Sequence, residues 1–226
     1  YAVQLNDTHP TVAIPELLRL LVEEAGMRFA DAVQVAHDTF AYTNHTIMPE
    51  ALEKWDQKLF RGVLPRVYPY VKKLDALLRR TLEQRGVPMG EVSRYAILED
   101  GMVHMARLAI FATHSTNGVA RLHTEILKDT ALHEWYELYP ERFNNKTNGV
   151  TQRRWLALAN PELAALLHDA VGDGWLTDLS QLKRLEPCAD DPAFLARFMD
   201  VKREKKRQLA AYVEKHEGVR LHADFL

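Results

Sequence analysis

The chain has 226 residues, and 47% of them are hydrophobic, which is enough apolar material for one large domain or two small ones. Its 29 basic and 31 acidic side chains nearly balance, so charge gives no reason to expect a nucleic acid or an anionic membrane as partner. The single cysteine, Cys188, cannot form an internal disulfide, and the longest apolar stretch is too short to span a bilayer. We therefore expect a soluble, cytoplasmic protein.

The predicted elements begin with a strand and continue almost entirely as helices. Residues 1–5 alternate apolar and polar side chains and then meet Asn6 and Asp7, which predicts a strand that ends in a polar loop. The backbone groups of this strand need a partner, either late in the chain or outside it. Apolar residues then recur at helical spacing in segments 15–21, 31–40, 49–55, 67–82, 96–112, 161–167, 178–185 and 192–216.

Two of the helical segments carry particularly clear signals. Segment 96–112 is apolar almost all round, which predicts a central, buried helix. Segment 192–216 has strong boundaries, because Asp191 and Pro192 open it and Gly218 follows it. The pattern as a whole predicts a mainly α chain with one or two orphan strands.

Four polar clusters interrupt the helical segments, at residues 6–10, 41–46, 114–121 and 144–155. Each places hydroxyl, amide or imidazole groups where a helix or strand ends, and such positions often present groups to ligands. The last cluster combines amides and hydroxyls with three cations, and its Gly149 can adopt a positive φ. This composition suits a polyhydroxylated ligand. The structural alternative is a solvated loop before a helix.

Individual residues of these clusters have other interpretations as well. His9 could cap the start of a helix, and His45 and His114 could be buried histidines with satisfied nitrogens. A metal-dependent hydrolase could be built on Asp7, His9 and His45. Glu53 could add a carboxylate ligand, but no closely spaced pair of ligands supports such a site. The sequence also lacks the Gly-x-Ser-x-Gly turn of many serine hydrolases.

Together, the four clusters strongly resemble motifs of the α-glucan (glycogen, starch and maltodextrin) phosphorylases. The matching segments are Leu-Asn-Asp-Thr-His-Pro at 5–10, Ala-Tyr-Thr-Asn-His-Thr at 41–46, Asn-Gly-Val-Ala-Arg at 117–121, and Asn-Lys-Thr-Asn-Gly at 145–149 with Arg-Arg-Trp at 153–155. The resemblance implies a homodimeric glycosyltransferase of the two-Rossmann-domain (GT-B) type that depends on pyridoxal 5'-phosphate. It implies that inorganic phosphate cleaves the terminal α-1,4 link of a glucan and releases glucose 1-phosphate.

The resemblance also gives roles to residues of this chain. Asn148 and His45 would hold hydroxyls of the transferred glucosyl unit, and the His45 carbonyl would lie near the anomeric carbon. Val119 would pack against the sugar, and Trp155 would approach the cofactor. The polar pocket beside the sugar would be lined by Asp7, His9, Thr46, Ala51 and Glu53.

The resemblance places the chain in the middle of a longer protein. Residues 1–148 would be the C-terminal part of its N-terminal domain, and residues 149–226 the helical start of its C-terminal domain. The cofactor-bearing lysine and the phosphate-binding basic residues of the family have no counterpart here. We therefore expect this chain alone to be inactive and to self-associate through exposed apolar surface. The alternative is a stand-alone helical carbohydrate-binding or scaffold module without catalysis.

Overall fold

The computed structural model of the chain describes all residues except Pro49, Ala51 and Leu226. The chain forms two compact units, residues 1–148 and 149–226. The strands are β1 (Val3–Asn6), β2 (Phe40–Thr43), β3 (Lys54–Asp56), β4 (Leu98–Glu99), β5 (Met102–His104), β6 (Thr116–Gly118) and β7 (Phe143–Asn145). The helices are α1 (Ala13–Arg19), α2 (Phe29–Thr39), α3 (Gln57–Val63), α4 (Tyr68–Gln84), α5 (Val92–Tyr95), α6 (Met105–Ala112), α7 (Arg121–Ile126), α8 (His133–Leu138), α9 (Pro161–Val171) and α10 (Pro192–Glu217).

Within the described residues of the first unit, a four-stranded parallel sheet has the order β1-β2-β6-β7. In its register Asn6 lies opposite Thr43, Thr43 opposite Asn117, and Asn117 opposite Asn144. Pairing with β2 supplies the backbone partners of the first strand. The prediction of one or two orphan strands was therefore wrong, as was the expectation that the first strand has its partner late in the chain or outside it. Most of the described chain is helical as predicted, and the first unit has a mixed α/β fold.

Strand β2 is hidden in the sequence by the helix that precedes it. Residues 31–40 have one continuous helical pattern, whereas α2 ends at Thr39 and Phe40 already begins β2. The strand alternates between buried and partly exposed side chains over only four residues, with Phe40 and Tyr42 inside. A run this short cannot be separated from an adjoining helix by its periodicity.

The segment predicted as one helix, 96–112, is a hairpin followed by a helix. Strands β4 and β5 pair antiparallel around Asp100 and Gly101, whose φ angles are 50° and 73°. Positive φ at both central residues is typical of a two-residue hairpin turn, for which Asp-Gly is a preferred sequence. Strand β3 extends this sheet beside β5 and contains Trp55. The helix predicted for 49–55 is thus wrong at its end, and part of it lies outside the described residues.

The core of the first unit combines side chains of the parallel sheet with helices α1, α4 and α6. Leu5 and Tyr42 of the sheet are buried in the same cluster as Leu18 of α1 and Leu78 of α4. Every residue of α6 except Arg107 is buried, so the prediction of a central apolar helix is confirmed for this half of the segment. Burial of each large apolar side chain contributes about 1.5–3 kcal/mol.

A buried carboxylate joins α4 to the β4–β5 hairpin. Asp75 Oδ1 accepts hydrogen bonds from the N–H groups of Ile97 (2.8 Å) and Leu98 (3.0 Å), and Oδ2 accepts one from Arg79 Nε at 2.8 Å. Arg79 also donates to the Leu98 carbonyl at 2.8 Å. Since β5 leads directly into α6, this network sets the start of the central helix.

The second unit contains helices α9 and α10 and a small core around Trp175. The side chain of Asp191 accepts the N–H of Ala193 at the start of α10, and Gly218 ends the helix in the left-handed conformation. The predicted bounds of this helix are therefore confirmed. The segment expected as a helix at 178–185 is a 3-10 helix, Leu179–Asp190. None of the described helices is both long and apolar enough to cross a lipid bilayer.

Candidate functional site

The four polar clusters meet at one edge of the parallel sheet. Strands β1, β2, β6 and β7 run in the same direction, and each cluster includes the last residue of one strand and the residues that follow it, in the fourth cluster up to Asn148 within the first unit. In open α/β sheets, ligands bind in the crevice outside the carboxyl ends of the strands. Four segments that are far apart in the sequence therefore form one candidate site.

A row of hydrogen-bonded side chains crosses three of these strands. Gln4 Nε2 donates to Thr43 Oγ1 (2.7 Å), and Thr43 Oγ1 donates to Asn117 Oδ1 (2.9 Å). Asn117 Nδ2 in turn donates to the Gly118 carbonyl (2.9 Å). Parallel sheets are usually apolar on both faces, so a polar row of this kind is unusual. It gives the hydroxyl and amide groups near the sheet edge a defined orientation.

His45 is exposed at the end of β2 and is oriented by its neighbours. Its Nε2 lies 2.6 Å from the Asn6 side-chain oxygen. Because an amide oxygen only accepts, Nε2 is the protonated nitrogen, and Nδ1 of the neutral ring is left as an acceptor. The buried Asn44 shapes the turn, since its oxygen accepts the Thr46 N–H (3.0 Å) and its nitrogen donates to the Tyr42 hydroxyl (3.0 Å).

Two carboxylates lie beside this turn. Asp7 has a φ of 64°, and its side chain accepts the N–H of Thr8 at 2.7 Å. Positive φ in a residue other than glycine is uncommon and often marks functional sites. Both oxygens of Glu53 are held, one by the Thr8 hydroxyl (2.6 Å) and the other by Trp55 Nε1 (3.0 Å). Burial, together with the negative charges of Asp7 and Glu53, raises the pKa of Tyr42 well above its ordinary value.

The end of β6 is clamped between α7 and the segment after β7. The Val119 N–H donates to His123 Nδ1 (3.1 Å), and the Val119 carbonyl accepts the N–H of Asn148 (2.9 Å). At Gly118 a Cβ atom would lie 2.4 Å from Thr124 Oγ1 and 2.8 Å from His123 Nδ1. Only glycine lets the first turn of α7 approach the strand this closely.

The comparison with known families agrees with this arrangement. The model of the carbohydrate phosphorylase family matches residues 1–226. The chain belongs to the carbohydrate phosphorylase family. It is 43% identical over 210 residues to glycogen phosphorylase of Bacillus subtilis, covering 92% of this chain and 26% of that protein. Glycogen phosphorylase of Synechocystis sp. is 42% identical over 230 residues, covering 100% of this chain and 27% of the relative. The brain form of glycogen phosphorylase of Bos taurus is 42% identical over 228 residues, covering 98% of this chain and 27% of that protein.

This member of the carbohydrate phosphorylase family thus spans about a quarter of the length of the relatives it matches. Most residues that were expected to contact substrate follow the strands of the sheet at the same edge. Glu53 joins them through its hydrogen bond to Thr8. The residues placed within three positions after strands β1, β2, β6 and β7 are Asp7, His45, Thr46, Val119 and Asn148.

Other residues singled out in the sequence differ from expectation in burial or hydrogen bonding, or lie outside the first unit. His9 is exposed in the 3-10 turn His9–Val12, which has no side-chain cap, so the capping interpretation was wrong. His45 and His114 are both exposed rather than buried, and His114 Nδ1 bonds to the His37 carbonyl. Trp155 belongs to the second unit and is 68% exposed there. Ala51 lies outside the described residues.

The metal interpretation gains no support from the geometry of this phosphorylase-family chain. Among the described residues no group of three or more histidine, cysteine, aspartate or glutamate side chains is arranged to hold a metal ion. The oxygens of Glu53 are directed at a hydroxyl and an indole nitrogen instead. Both are hydrogen-bond donors, which suits a fixed carboxylate rather than a free ligand.

Two residues of the site network were not singled out in the sequence. Gln4 is on the polar face of β1, and the alternation of that strand was the signal that could have identified it. His123 is the third residue of α7, and its ring accepts a backbone N–H four residues earlier. The side chain of the third helical residue often accepts a hydrogen bond from a backbone N–H just before the helix, as in a capping box. A histidine there is rarer, so the pattern was easily missed.

Proposed function

We propose that the full-length gene product is an α-glucan phosphorylase of the glycogen phosphorylase type. It transfers the terminal α-1,4-linked glucosyl unit of a glucan to inorganic phosphate and forms glucose 1-phosphate. The observation that carries this proposal is the meeting of four polar clusters at the carboxyl edge of one parallel sheet. The names of the relatives, glycogen phosphorylases at 42–43% identity, support the same activity.

The transferred glucosyl unit binds between the ends of β2, β6 and β7. His45 and Asn148 pair with its hydroxyls, because imidazole and amide groups can accept as well as donate hydrogen bonds. Val119 packs against an apolar face of the ring. A site built from such groups rejects a sugar that lacks the partner hydroxyl, since its own polar groups would then be unpaired.

The acidic groups beside the sugar favour the transition state. Cleavage of the glycosidic bond develops positive charge at the anomeric carbon, and preorganised negative groups stabilise such charge. The His45 carbonyl lies nearest to this carbon in the proposal. Asp7 and Glu53, with His9 and Thr46, line the adjacent polar pocket. The hydrogen bonds of Glu53 to Thr8 and Trp55 keep its charge in a fixed place.

Pyridoxal 5'-phosphate would supply a phosphate group for proton transfer when bound. Trp155 fits a role beside it, because the indole is 68% exposed and offers a flat apolar surface to a planar ring. Arg154 precedes it in the sequence and offers a cation to a phosphate. We expect none of the lysines among these 226 residues to carry the cofactor covalently.

The architecture belongs to the same proposal. Residues 1–148 form the C-terminal part of the N-terminal domain, and residues 149–226 the helical start of the C-terminal domain, in a two-Rossmann-domain (GT-B) enzyme. The full-length product is a cytoplasmic homodimer. The 226-residue chain alone is inactive. It self-associates, because the second unit exposes the apolar side chains of Val150, Trp155 and Leu158.

Replacing His45 tests the proposed activity in the full-length gene product. His45→Ala should lower kcat for release of glucose 1-phosphate from glycogen and phosphate by about a hundredfold, with little change in KM. His133→Ala is the matched control, since that histidine is exposed and its ring contacts the Lys128 carbonyl and the Glu137 carboxylate of its own segment, away from the sheet edge. Binding of glycogen without any glucose 1-phosphate release by the wild type would instead identify a carbohydrate-binding module. Release of free glucose without phosphate would identify a hydrolase.

A further inference from the structure

A histidine outside the four polar clusters holds the backbone of a proposed sugar contact. His123 Nδ1 accepts the N–H of Val119 at 3.1 Å. Because a backbone N–H only donates, Nδ1 must be unprotonated, and the neutral ring carries its proton on Nε2. The bond therefore requires one particular tautomer of the neutral histidine.

This bond is half of a clamp on Val119. On the other side, the Val119 carbonyl accepts the N–H of Asn148 at 2.9 Å. The neighbouring Gly118 carbonyl accepts the N–H of Lys146 at 3.1 Å, which ties the same segment to β6 again. The imidazole thus fixes the N–H of the same residue whose carbonyl holds the N–H of Asn148.

Of the two ring nitrogens of His123, only Nδ1 makes a hydrogen bond within the described part of the chain. Nε2 is buried and has no hydrogen-bond partner within the described part of the chain. A buried donor without a partner lowers stability. If the side chain only filled space, an apolar residue of similar size would serve better there. The contact with the Val119 N–H gives a reason for an imidazole at this position.

We propose that His123 is a positioning residue for the transferred glucosyl unit. By holding the Val119 N–H, it sets the spacing between the Val119 side chain and Asn148. That spacing decides how closely the two residues fit one sugar ring. The role rests on the proposed phosphorylase function and acts through the backbone of Val119.

Two substitutions in the full-length gene product separate the acceptor from the volume of the ring. His123→Asn places an oxygen acceptor near the position of Nδ1, whereas His123→Leu has similar bulk and no acceptor. Phosphorolysis of glycogen by the Leu variant should have a kcat about tenfold to a hundredfold lower, as expected when a partly buried donor loses its acceptor. KM should change less, because more distant parts of the glucan also contribute to binding. The Asn variant should stay within about fivefold of the wild type.

Amide hydrogen exchange gives a second measurement that does not depend on activity. The Val119 amide should exchange faster in the Leu variant than in the wild type, and the Asn variant should restore slow exchange. Should the Leu variant not fold, His123→Met provides the same comparison.

Three results would overturn the role of His123: a Leu variant with wild-type kcat, equal losses in the Asn and Leu variants, or unchanged exchange at Val119. Failure of the proposed function is a separate outcome. In that case the wild type itself would release no glucose 1-phosphate, whereas the Val119 exchange rates would still report on the clamp.

Discussion

Hydrogen bonds between neighbouring side chains orient the polar groups at the sheet edge. The Asn6 oxygen selects the protonated nitrogen of His45, and Thr8 and Trp55 hold the two oxygens of Glu53. Groups that are already fixed lose less conformational entropy when a ligand binds. At the scale of single residues, the site is therefore suited to hydroxyls at defined positions.

The imidazole of His104 should make stability depend on pH. Burial and the charges of Arg107 and Lys54 lower its pKa from 6.5 to about 4, and Asp100 only partly opposes them. In the unfolded chain this imidazole takes up a proton near pH 6.5, whereas in the folded chain it does so only near pH 4. The contribution of the neutral His104 to the free energy of unfolding is therefore fully present above pH 6.5 and is lost as the pH falls towards 4.

Urea unfolding at pH 7.5 and pH 4.5 measures this contribution. Between these two pH values the free energy of unfolding of the wild type should fall by about 1–2 kcal/mol more than that of His104→Gln, after allowance for solvent screening. An equal loss of stability in the two proteins would contradict the assignment.

Gly118 should be intolerant of even one added methyl group. Gly118→Ala places a Cβ 2.4 Å from Thr124 Oγ1 and 3.0 Å from Thr124 Cα, and the backbone atom cannot move aside as a side chain can. We expect a loss of about 1–3 kcal/mol in the free energy of unfolding. Gly62→Ala in α3 is the control, because nothing lies within 4 Å of its added Cβ and alanine favours a helix. Similar thermal unfolding midpoints for both variants would argue against the tight contact.

At the scale of elements, the link between α4 and the β4–β5 hairpin depends on Asp75. Asp75→Ala leaves the N–H groups of Ile97 and Leu98 without their acceptor and removes the partner of Arg79. Each unpaired buried group costs about 1–3 kcal/mol, so we expect a loss of about 3 kcal/mol. Hydrogen exchange at residues 97 and 98 should accelerate more than at β1.

The exposed Asp200 provides a matched control for this substitution. It forms an ion pair with Arg203 on the surface of α10, so Asp200→Ala should change stability by less than about 1 kcal/mol. Unchanged exchange at residues 97 and 98 in Asp75→Ala would show that the hairpin does not depend on this carboxylate.

Long elements could be predicted from the sequence, and short ones could not. Helix α4 was predicted because its apolar stripe persists over four turns, and α10 because Asp191 and Gly218 mark its ends. Strand β2 and the β4–β5 hairpin are only two to four residues per strand and adjoin helices. Their identity depends on pairing with distant residues, which no local pattern contains.

The polar clusters of the candidate site could be recognised in the sequence, but their arrangement in space could not. The clusters that contain His45 and Asn148 stood out by composition alone. Their convergence depends on the strand order β1-β2-β6-β7, in which β2 lies next to β6, more than 70 residues later in the chain. The contact between Val119 and His123 depends in turn on where α7 begins.

At the scale of the whole molecule, the first unit places three polar clusters, and the part of the fourth up to Asn148, on one edge of a parallel sheet. The helices α1, α4 and α6 share a core with that sheet, and this rigid support fixes the ends of its strands. The second unit has its own small core around Trp175. Its exposed Trp155 is the residue we assign to the cofactor.

The most direct test is a crystal structure of the full-length gene product soaked with glucose 1-phosphate in the absence of glucan. We expect the glucosyl ring to lie at the sheet edge, with the side chains of His45 and Asn148 about 2.7–3.2 Å from its hydroxyls and Val119 against the ring. A glucosyl ring bound elsewhere, with these three residues on separate surfaces, would contradict this expectation.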